Sequence, residues 1–388
     1  MGSGAGRSGS GRPAPELPGP AEFAAAGLYD PSAPQSADRL ELLELLVAQG
    51  VSLDDMVAAG APEDLVALAA QHALGAAGGT LTVEQVAAAT HNPVDRVMRL
   101  RTASGLPVAP GEPMLPPTAV DDMAAFDAGA ALFGDVPTLS FTRVMGAAMA
   151  RVAEAAVSLF VTERRPRLVV EVGEAARARE TEAATAVFID VTPRIMANLL
   201  REHMARAIRR AGAERADEFG AGAVTVGVGF VDLVGSTAWA TQLSLTDHAL
   251  ALTGFESAAW DIAGAHDGRV VKLIGDEAMF VAPSAAAVAR IALELCRAVQ
   301  EDPALPDARG AVGYGVAASR DGDYFGPLVN LVAHAVEVAE PSTVVATEAV
   351  RHELEQAPDS DGPGWHVTDL GDVGLRGVEG PVRLFALR

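Results

Sequence analysis

Two aspartates have the residue type and the setting to share a divalent cation. Asp232 directly follows an apolar run at 225–231 that predicts a buried strand. Asp276 lies in the turn 275–277 of a β-hairpin predicted over 269–283, because glycine and aspartate tolerate the backbone angles of a tight turn. Carboxylate oxygens are the ligands that Mg²⁺ and Mn²⁺ take, and these ions share their coordination shell with phosphates. The two aspartates are therefore candidate metal ligands, although each by itself is also what a helix cap or a turn requires.

The residues after Asp232 have the composition of a phosphate-binding segment. Gly235, Ser236 and Thr237 precede a helical pattern that begins at Ala238. Backbone N–H groups at the start of a helix attract anions. Ser236 and Thr237 are therefore candidate substrate-binding residues beside the candidate metal ligands.

The elements that must position these residues alternate between strand and helix from Ala223 to the end of the chain. This alternation predicts an α/β arrangement in which helices cover a sheet. The predicted order is strand 224–231, helix 238–266, hairpin 269–283, helix 285–300, strand 310–318, helix 328–338, strand 343–346 and a strand-rich tail that ends near 385.

The first half of the chain has a different composition. Residues 1–22 are rich in glycine, serine and proline and are expected to be a disordered tail. Residues 23–212 have helical periodicity almost throughout and are predicted to form one domain. Residues 212–222 have the composition of a linker, and a second domain is predicted over 213–388. Predicted helices occupy 36–48, begin near Ser52 and Pro62, and continue over 141–161 and, as a linker helix, over 192–213.

Composition excludes several classes of protein. The chain has 29 Lys and Arg residues against 51 Asp and Glu residues, a net charge of −22, which disfavours binding to nucleic acid or to an anionic membrane surface. The single cysteine, Cys296, cannot form an intrachain disulfide, as expected for a cytoplasmic protein. No uninterrupted apolar run reaches about 18 residues, so no membrane span is expected.

A second motif lies in the helical half. Helices predicted over 82–89 and 93–102, with a turn at 91–92, resemble a DNA-binding helix-turn-helix, and nearby arginines could contact phosphates: Arg96, Arg99 and Arg101. The alternative is a pair of helices packed within a regulatory domain. The acidic chain and the small number of clustered arginines favour that alternative.

Three separated motifs together resemble a known family. They are FVDLVGST at 230–237, VVKLIGDE at 270–277 and GDYFGPLVNLVAHA at 322–335. In this order they resemble the catalytic domain of class III nucleotidyl cyclases, from Ala223 to the C-terminus. An all-helical half before one such domain resembles the actinobacterial adenylyl cyclases with a pH-sensing regulatory domain. The resemblance implies an α+β fold, with an all-α regulatory domain followed by a ferredoxin-like βαββαβ catalytic core.

The resemblance also implies roles for individual residues. It implies that Asp232 and Asp276 hold two ions of Mg²⁺ or Mn²⁺ per site, and that Lys272 and Asp323 read the adenine base of ATP. A donor and an acceptor at these two positions suit the ring nitrogen and the amino group of adenine. The implied reaction is attack of the ribose 3′-oxygen on the α-phosphate, which gives cyclic AMP and pyrophosphate.

The remaining implied residues include one departure from the family pattern. Asn330 matches the asparagine that positions the ribose, and Arg376 matches a basic residue that contacts the terminal phosphates. Four residues after the asparagine the family has an arginine that stabilises the transition state, whereas this chain has His334. Histidine is charged only below about pH 6.5 and has no guanidinium fork. The enzyme is then slow, or active mainly at acid pH, or dependent on another arginine, or His334 has no catalytic role.

Two further expectations follow from the family. Lys272 and Asp276 are about 13 Å apart if the strand is extended, and in the family the metal and base residues of one site come from different chains, so a homodimer is expected. Protonation of His203, on the linker helix, could bias two packings of that helix between pH 5 and 8, although His203 could equally be a plain surface residue.

Two other functions compete with this interpretation. The hairpin at 274–283 resembles that of diguanylate cyclases, but the second glycine and the phenylalanine of that motif are missing. The other alternative is a catalytically weak nucleotide or pH sensor that acts through its helical domain, with DNA as one conceivable target; the histidine at 334 motivates it.

Overall fold

The computed structural model describes residues 17–74, 79–164, 173–213, 222–356 and 365–388. The contacts divide the chain into two compact units, 1–205 and 206–388. The predicted boundary between domains was 212/213, and most of the predicted linker lies outside the described residues. The predicted tail also lies mainly outside them, but its last residues, from Pro20, belong to a first short helix.

The first unit is helical, as the sequence predicted. Its described helices are α1 Pro20–Ala25, α2 Ser36–Ala48, α3 Leu53–Ala59, α4 Pro62–Ala73, α5 Val83–Thr90, α6 Val94–Ala103, α7 Ala119–Phe133, α8 Asp135–Leu159 with a π-helical turn at Phe160–Arg164, α9 Glu174–Asp190, and α10 Thr192–Ala213, which extends across the division. The predicted bounds of α2 and α10 are confirmed, and Ser52 caps α3 by accepting a hydrogen bond from the backbone N–H of Asp55 at 3.1 Å.

Three helices of this unit were not predicted, and one begins earlier than predicted. α1, α7 and α9 contain many alanines, which give little contrast between an apolar and a polar face. α8 begins at Asp135 rather than Phe141, directly after Gly134, whose φ of 90° ends α7. Two separate cores stabilise the unit, one around Phe23 and Leu42 and one around Val86 and Met123.

Two helical segments are long and apolar enough to cross a membrane by length and composition alone. They are Asp135–Thr162, with a mean hydropathy of 1.6, and Glu174–Arg209, with 1.2, and neither apolar window is buried. The sequence predicted no membrane span because it contains no long uninterrupted apolar run. These two helices mix apolar, small and polar residues. Arg151 and Glu154 lie within the first segment, where charges would be costly in a bilayer. An exposed apolar helix of this kind is also typical of a surface that binds another protein chain.

The second unit contains a mixed eight-stranded sheet. The strands are β1 Ala223–Leu233, β2 Arg269–Ile274, β3 Glu277–Ala282, β4 Ala308–Arg320, β5 Asp323–Phe325, β6 Val344–Thr347, β7 Val367–Gly374 and β8 Pro381–Leu387. They lie in the order β2-β3-β1-β4-β6-β8-β7, with β5 paired to β4, and the β4–β6 pair is parallel whereas the others are antiparallel. The antiparallel order β2-β3-β1-β4 within this sheet confirms the expected ferredoxin-like core.

Helices cover both faces of this sheet. They are α11 Ser236–Ala240, α12 Leu245–Ala265, α13 Ala285–Glu301, α14 Pro327–Ala335 with a 3₁₀ turn at Val336–Val338, and α15 Glu348–Gln356. One core contains residues of α12, α13 and α15, and the other contains residues of α14. The two cores receive alternate residues of the central strands.

One predicted helix of this unit was wrong, and two short elements were not predicted. The helix expected over 238–266 is two helices, α11 and α12, separated at 241–244. Ser244 is the N-cap of α12, since its Oγ accepts a hydrogen bond from the backbone N–H of Asp247 at 3.1 Å. The short elements β5 and α15 are three and nine residues long.

Candidate active site

The predicted hairpin is confirmed, and it brings the two candidate metal ligands to one end of the sheet. Ile274 pairs with Glu277, so the turn consists of Gly275 and Asp276 alone and Glu277 already belongs to β3. Gly275 has a φ of 66°, which favours glycine. The backbone N–H of Leu233 donates to the carbonyl oxygen of Asp276 at 3.2 Å. This bond fixes the turn against the end of β1, where Asp232 lies.

Three charged residues form a row across adjacent strands. Asp232 of β1 pairs with Glu277 of β3 on one side and with Arg309 of β4 on the other. The guanidinium of Arg309 donates to Asp232 Oδ2 from Nε at 3.4 Å and from Nη2 at 3.3 Å. It also donates from Nη1 to the carbonyl oxygen of Glu337 at 3.3 Å. Because strand residues alternate between faces, the row lies on the face that Phe230 shares with α14.

Two carboxyl groups of this cluster, those of Asp232 and Glu277, have raised pKa values. Burial and the nearby charge of Asp276 raise the pKa of Asp232, against the opposing effect of Arg309. Burial, followed by the charges of Asp232 and Asp276, raises the pKa of Glu277 to about 7. The cluster therefore carries more negative charge than its one guanidinium compensates.

This donor set fits a hard divalent cation. Asp232 and Asp276 offer carboxylate oxygens, and the charge of Asp276 adds to the effect of burial in raising the pKa of Asp232. Among the described residues no group of three or more histidine, cysteine, aspartate and glutamate side chains is arranged to hold an ion by itself. Mg²⁺ is commonly bound through one or two carboxylates with substrate phosphates and waters, so two aspartates at an open edge suit such an ion.

Lys272 and Asp323, the two residues implied to read the base, contact each other. Lys272 Nζ lies 2.6 Å from Asp323 Oδ2, and both side chains are partly exposed. A β-bulge in β2 orients the lysine: Val270 pairs with Phe280 and Lys272 pairs with Met279, the residue before Phe280, so Val271 is an extra residue. Lys272 Nζ also lies 5.8 Å from the centre of the Phe325 ring.

The partner of Lys272 is held by a tight turn. β4 and β5 are joined by Asp321 and Gly322, whose φ values of 55° and 83° are those of a hairpin turn that favours Asp-Gly. Asp323 follows the turn directly, and its Oδ1 accepts a hydrogen bond from the backbone N–H of Tyr324 at 2.8 Å. The Asp-Gly pair was a sequence signal for this hairpin.

The other implied residues lie on α14 and in the loop before β8. Asn330 is exposed, and His334 is half-buried in the last turn of the helix. A Cβ atom added to Gly377 would lie 3.7 Å from His334 Nε2, so the imidazole lies against that loop. Arg376, the preceding residue, is exposed. The histidine and the loop arginine therefore belong to neighbouring segments.

The candidate phosphate residues lie at the start of a very short helix. Ser236 and Thr237 are the first residues of α11, which has only five residues, and Gly235 precedes them with a φ of 66°. Ser236 is half-buried and Thr237 is exposed. Their position directly after β1 is as expected, but the helix dipole there is that of little more than one turn.

Two residues of the cluster were not predicted from the sequence. Glu277 was interpreted as part of the turn, and Arg309 was not considered. Once the turn is known to have two residues, the alternation of side chains along β3 predicts the face of the sheet on which Glu277 lies. No sequence signal links Arg309 to Asp232, because their contact depends on the pairing of β1 with β4.

The helical pair α5–α6 has the predicted bounds to within one residue, but its best-placed arginine is already paired. Arg96 lies 2.9 Å from Asp127 and 3.0 Å from Asp135, and its guanidinium carbon lies 5.3 Å from the Phe126 ring centre. These contacts join α6 to α7 and α8. They indicate a packed helical pair rather than a phosphate-binding surface. His203, on α10, is exposed.

Comparisons with known proteins agree with both halves of the chain. Residues 24–208 match a family described as adenylate cyclase regulatory domain. An uncharacterized protein of Mycobacterium tuberculosis strain H37Rv is 32% identical over 366 residues, 94% of this chain and 92% of that protein. A pH-sensitive adenylate cyclase of Mycobacterium tuberculosis strain CDC 1551 is 28% identical over 362 residues, 91% of this chain and 88% of that protein.

Shorter matches concern one part of the chain. An adenylate cyclase of Glutamicibacter nicotianae is 42% identical over 123 residues, 32% of this chain and 30% of that protein. A solved structure of an adenylate cyclase from Trypanosoma brucei covers 42% of this chain and 87% of its own, with 24% identity and a TM-score of 0.38. The chain belongs to the family of adenylate cyclases that carry an N-terminal adenylate cyclase regulatory domain.

Proposed function

We propose that the chain converts ATP to cyclic AMP and pyrophosphate. The observation that carries this proposal is the pair formed by Lys272 and Asp323, 2.6 Å apart, in the same unit as the carboxylates of Asp232 and Asp276. One pair can recognise a base, and the other can hold the ions that accompany a triphosphate. The family membership makes a nucleotide the substrate class.

The choice of ATP rests on the chemistry of the base-reading pair. A lysine ammonium only donates hydrogen bonds, and an ionised aspartate only accepts them. Adenine offers a ring-nitrogen acceptor beside an amino donor, so it can bind both side chains at once. Guanine offers a carbonyl acceptor and a ring N–H donor at the same edge, so the pair must be held in a fixed geometry to distinguish the two.

Asp232 and Asp276 are the proposed ligands of Mg²⁺ or Mn²⁺, two ions per site. Bound there, such ions would supply the charge that activates the ribose 3′-hydroxyl and stabilises the triphosphate. Arg309 would hold the Asp232 carboxylate in position. Asn330 would position the ribose, and the phosphates would be contacted by Ser236, Thr237 and Arg376.

His334 takes the position of the expected transition-state arginine. Losing a fixed cation there is expected to lower the rate by about 10² to 10³, by analogy with the loss of one oxyanion donor. Protonation of His334 at acid pH would restore part of that charge. We therefore expect a slow enzyme that is faster at acid pH.

The active form is proposed to be a homodimer in which each site uses residues of both chains. Ile274, next to the metal-binding turn, is 51% exposed, and Phe325, beside the base-reading pair, is 49% exposed. Large apolar side chains next to a catalytic cluster are expected to be covered by another chain. The exposed apolar residues of α8 and α10 support the same conclusion for the helical unit.

The helical unit is proposed to regulate the catalytic unit. α10 is the last helix before β1 in the chain, so a change in its packing could reach the catalytic core. The match to a family described as a regulatory domain supports this role, and a response to pH is proposed from the pH-sensitive relative. The acidic chain and the single buried Cys296 suit the cytoplasm.

The test is formation of cyclic AMP from ATP by the full chain with Mn²⁺, from pH 5 to pH 8. Asp276→Asn should lower the rate at least 100-fold, because it removes one charged ligand. Asp261→Asn, which changes an exposed aspartate of α12, should leave the rate unchanged. Turnover that Asp276→Asn does not reduce would refute the assigned site.

The second candidate function is a weak nucleotide or pH sensor, which His334 favours. Wild-type protein that binds ATP but forms no cyclic AMP at any pH would support it. The paired state of Arg96 argues against DNA as the target of such a sensor.

A further inference from the structure

We propose that Arg269 is a positioning residue that holds the β4–β5 hairpin against β2 and thereby sets the preference for adenine over guanine. The inference rests on the proposed function, in which Lys272 and Asp323 read the base. It concerns a residue outside that pair, whose role is to fix the distance between the two. No contact of Arg269 with the nucleotide is required.

Arg269 makes two contacts with the β4–β5 hairpin. Its Nη2 donates a hydrogen bond to the carbonyl oxygen of Gly322 at 3.1 Å. Its guanidinium carbon lies 5.6 Å from the centre of the Tyr324 ring, within the range of a cation–π interaction. Gly322 and Tyr324 are the two neighbours of Asp323 in the chain. The carboxylate that reads the base therefore lies between the two points that Arg269 holds.

The bulge in β2 makes this arrangement possible. Arg269 and Lys272 are three residues apart, and in a regular strand their side chains would lie on opposite faces. The extra residue, Val271, shifts the alternation so that both side chains reach the same hairpin. Val270 and Leu273, also three residues apart, accordingly both pack into the core on the other face. Two cations of one strand thus contact three consecutive residues of one short hairpin.

The strand pairing of this hairpin is short, although Tyr324 of β5 is buried in the core beside α14. β5 has three residues and pairs only with the end of β4. Asp323 already forms an ion pair with Lys272, but that pair must open toward a base when a nucleotide binds. A contact that stays in place while the pair opens keeps the backbone positions of Lys272 and Asp323 at a constant separation. Arginine suits this task, since one guanidinium can donate to a carbonyl and lie over a ring at once.

The experiment measures base preference in binding, so it does not depend on turnover. The full chain is titrated calorimetrically with the α,β-methylene analogues of ATP and GTP in the presence of Mn²⁺. Arg269→Gln removes the charge and shortens the side chain, whereas Arg269→Lys keeps a cation that can still donate to Gly322. Arg297→Gln, at an exposed position of α13, makes the same charge change away from the hairpin. Cyclic AMP formation by the wild type is measured in parallel.

The expected result is a loss of discrimination with Arg269→Gln. The ratio of the affinities for the two analogues should fall about 5- to 30-fold, the combined effect of one hydrogen bond and one cation–π contact. Arg269→Lys should restore most of the ratio, and Arg297→Gln should stay within twofold of the wild type. The ratio does not depend on the fraction of folded protein, so simple destabilisation would not change it.

Two results would overturn the inference. One is an Arg269→Gln ratio within twofold of the wild type, including equal losses of affinity for both analogues. The other is a wild type that binds both analogues equally well. A wild type that prefers the ATP analogue and loses the preference with Arg269→Gln, yet forms no cyclic AMP, would support the role of Arg269 and overturn the proposed catalytic function instead.

Discussion

Replacement of Glu277 by glutamine is expected to stabilise the metal-free protein at neutral pH but not at pH 5. The raised pKa means that the folded protein keeps a proton on Glu277 that the unfolded chain releases above its ordinary value of 4.5. Stability from this group is therefore fully present below pH 4.5 and is lost as the pH rises through about 7. Glutamine resembles the protonated carboxyl at every pH, so the variant should not show this loss.

The size of the effect follows from the shift. A change of pKa from 4.5 to about 7 corresponds to about 3 kcal/mol in the unfolding free energy at 1.36 kcal/mol per pH unit. Glu277 is only half-buried, and solvent screening reduces this to roughly 1–2 kcal/mol. For a unit of this size, that is an increase of about 3–6 °C in the midpoint of thermal unfolding at pH 7.5.

The assay is calorimetric unfolding of the full chain in a chelating buffer at pH 5, 6 and 7.5. Glu301→Gln, which changes an exposed glutamate at the end of α13, is the control and should differ from the wild type by the same amount at each pH. Added Mn²⁺ should narrow the gap between Glu277→Gln and the wild type at pH 7.5, because a cation on Asp232 and Asp276 removes part of the repulsion. If, without metal, the unfolding midpoints of the wild type and Glu277→Gln differ by the same amount at every pH, the raised pKa of Glu277 is refuted.

Three further predictions test the proposed dimer, the departure at 334 and the regulatory role. An inactive Lys272→Ala protein mixed with an inactive Asp276→Ala protein should recover about a quarter of wild-type cyclase activity, because half of the dimers are mixed and each has one intact site; no recovery after subunit exchange would argue against shared sites. His334→Arg should raise kcat by about 10² at pH 7.5 and flatten the pH–rate curve between pH 5 and 8; an unchanged kcat would indicate that His334 has no catalytic role. A fragment that begins at Arg206 should turn over ATP faster than the full chain at pH 8 if the helical unit inhibits; equal rates at every pH would remove that idea.

The parts of the fold that follow from local chemistry were predictable. The hairpin around Asp276 was predicted because its turn residues and its two apolar arms lie within 15 residues of one another. α2 and α10 were predicted with their observed bounds because leucine and isoleucine recur at helical spacing there. The helices that were missed, such as α7 and α9, have small residues on every side, so their buried face depends on neighbours that the sequence does not show.

The parts of the site that depend on strand pairing were not predictable. The contact of Lys272 with Asp323 entered through the resemblance to a family, not through the spacing of the two residues. Its physical cause is the bulge at Val271, and a bulge changes which face a side chain occupies without any signal in the pattern of apolar residues. In the same way, Arg309 meets Asp232 because β1 and β4 are neighbours, although the two residues are distant in sequence.

The two ion pairs of the candidate site have different consequences for nucleotide binding. Lys272 and Asp323 satisfy each other until a base arrives, and an adenine edge can then satisfy both, so little electrostatic energy is lost on exchange. Arg309 instead competes with the cation for Asp232, because both would be attracted to the same carboxylate. The phosphates of a nucleotide offer the guanidinium an alternative partner. A cation on Asp232 would release Arg309 for the phosphates, and phosphates on Arg309 would release Asp232 for the cation. The cation and the nucleotide should therefore bind cooperatively.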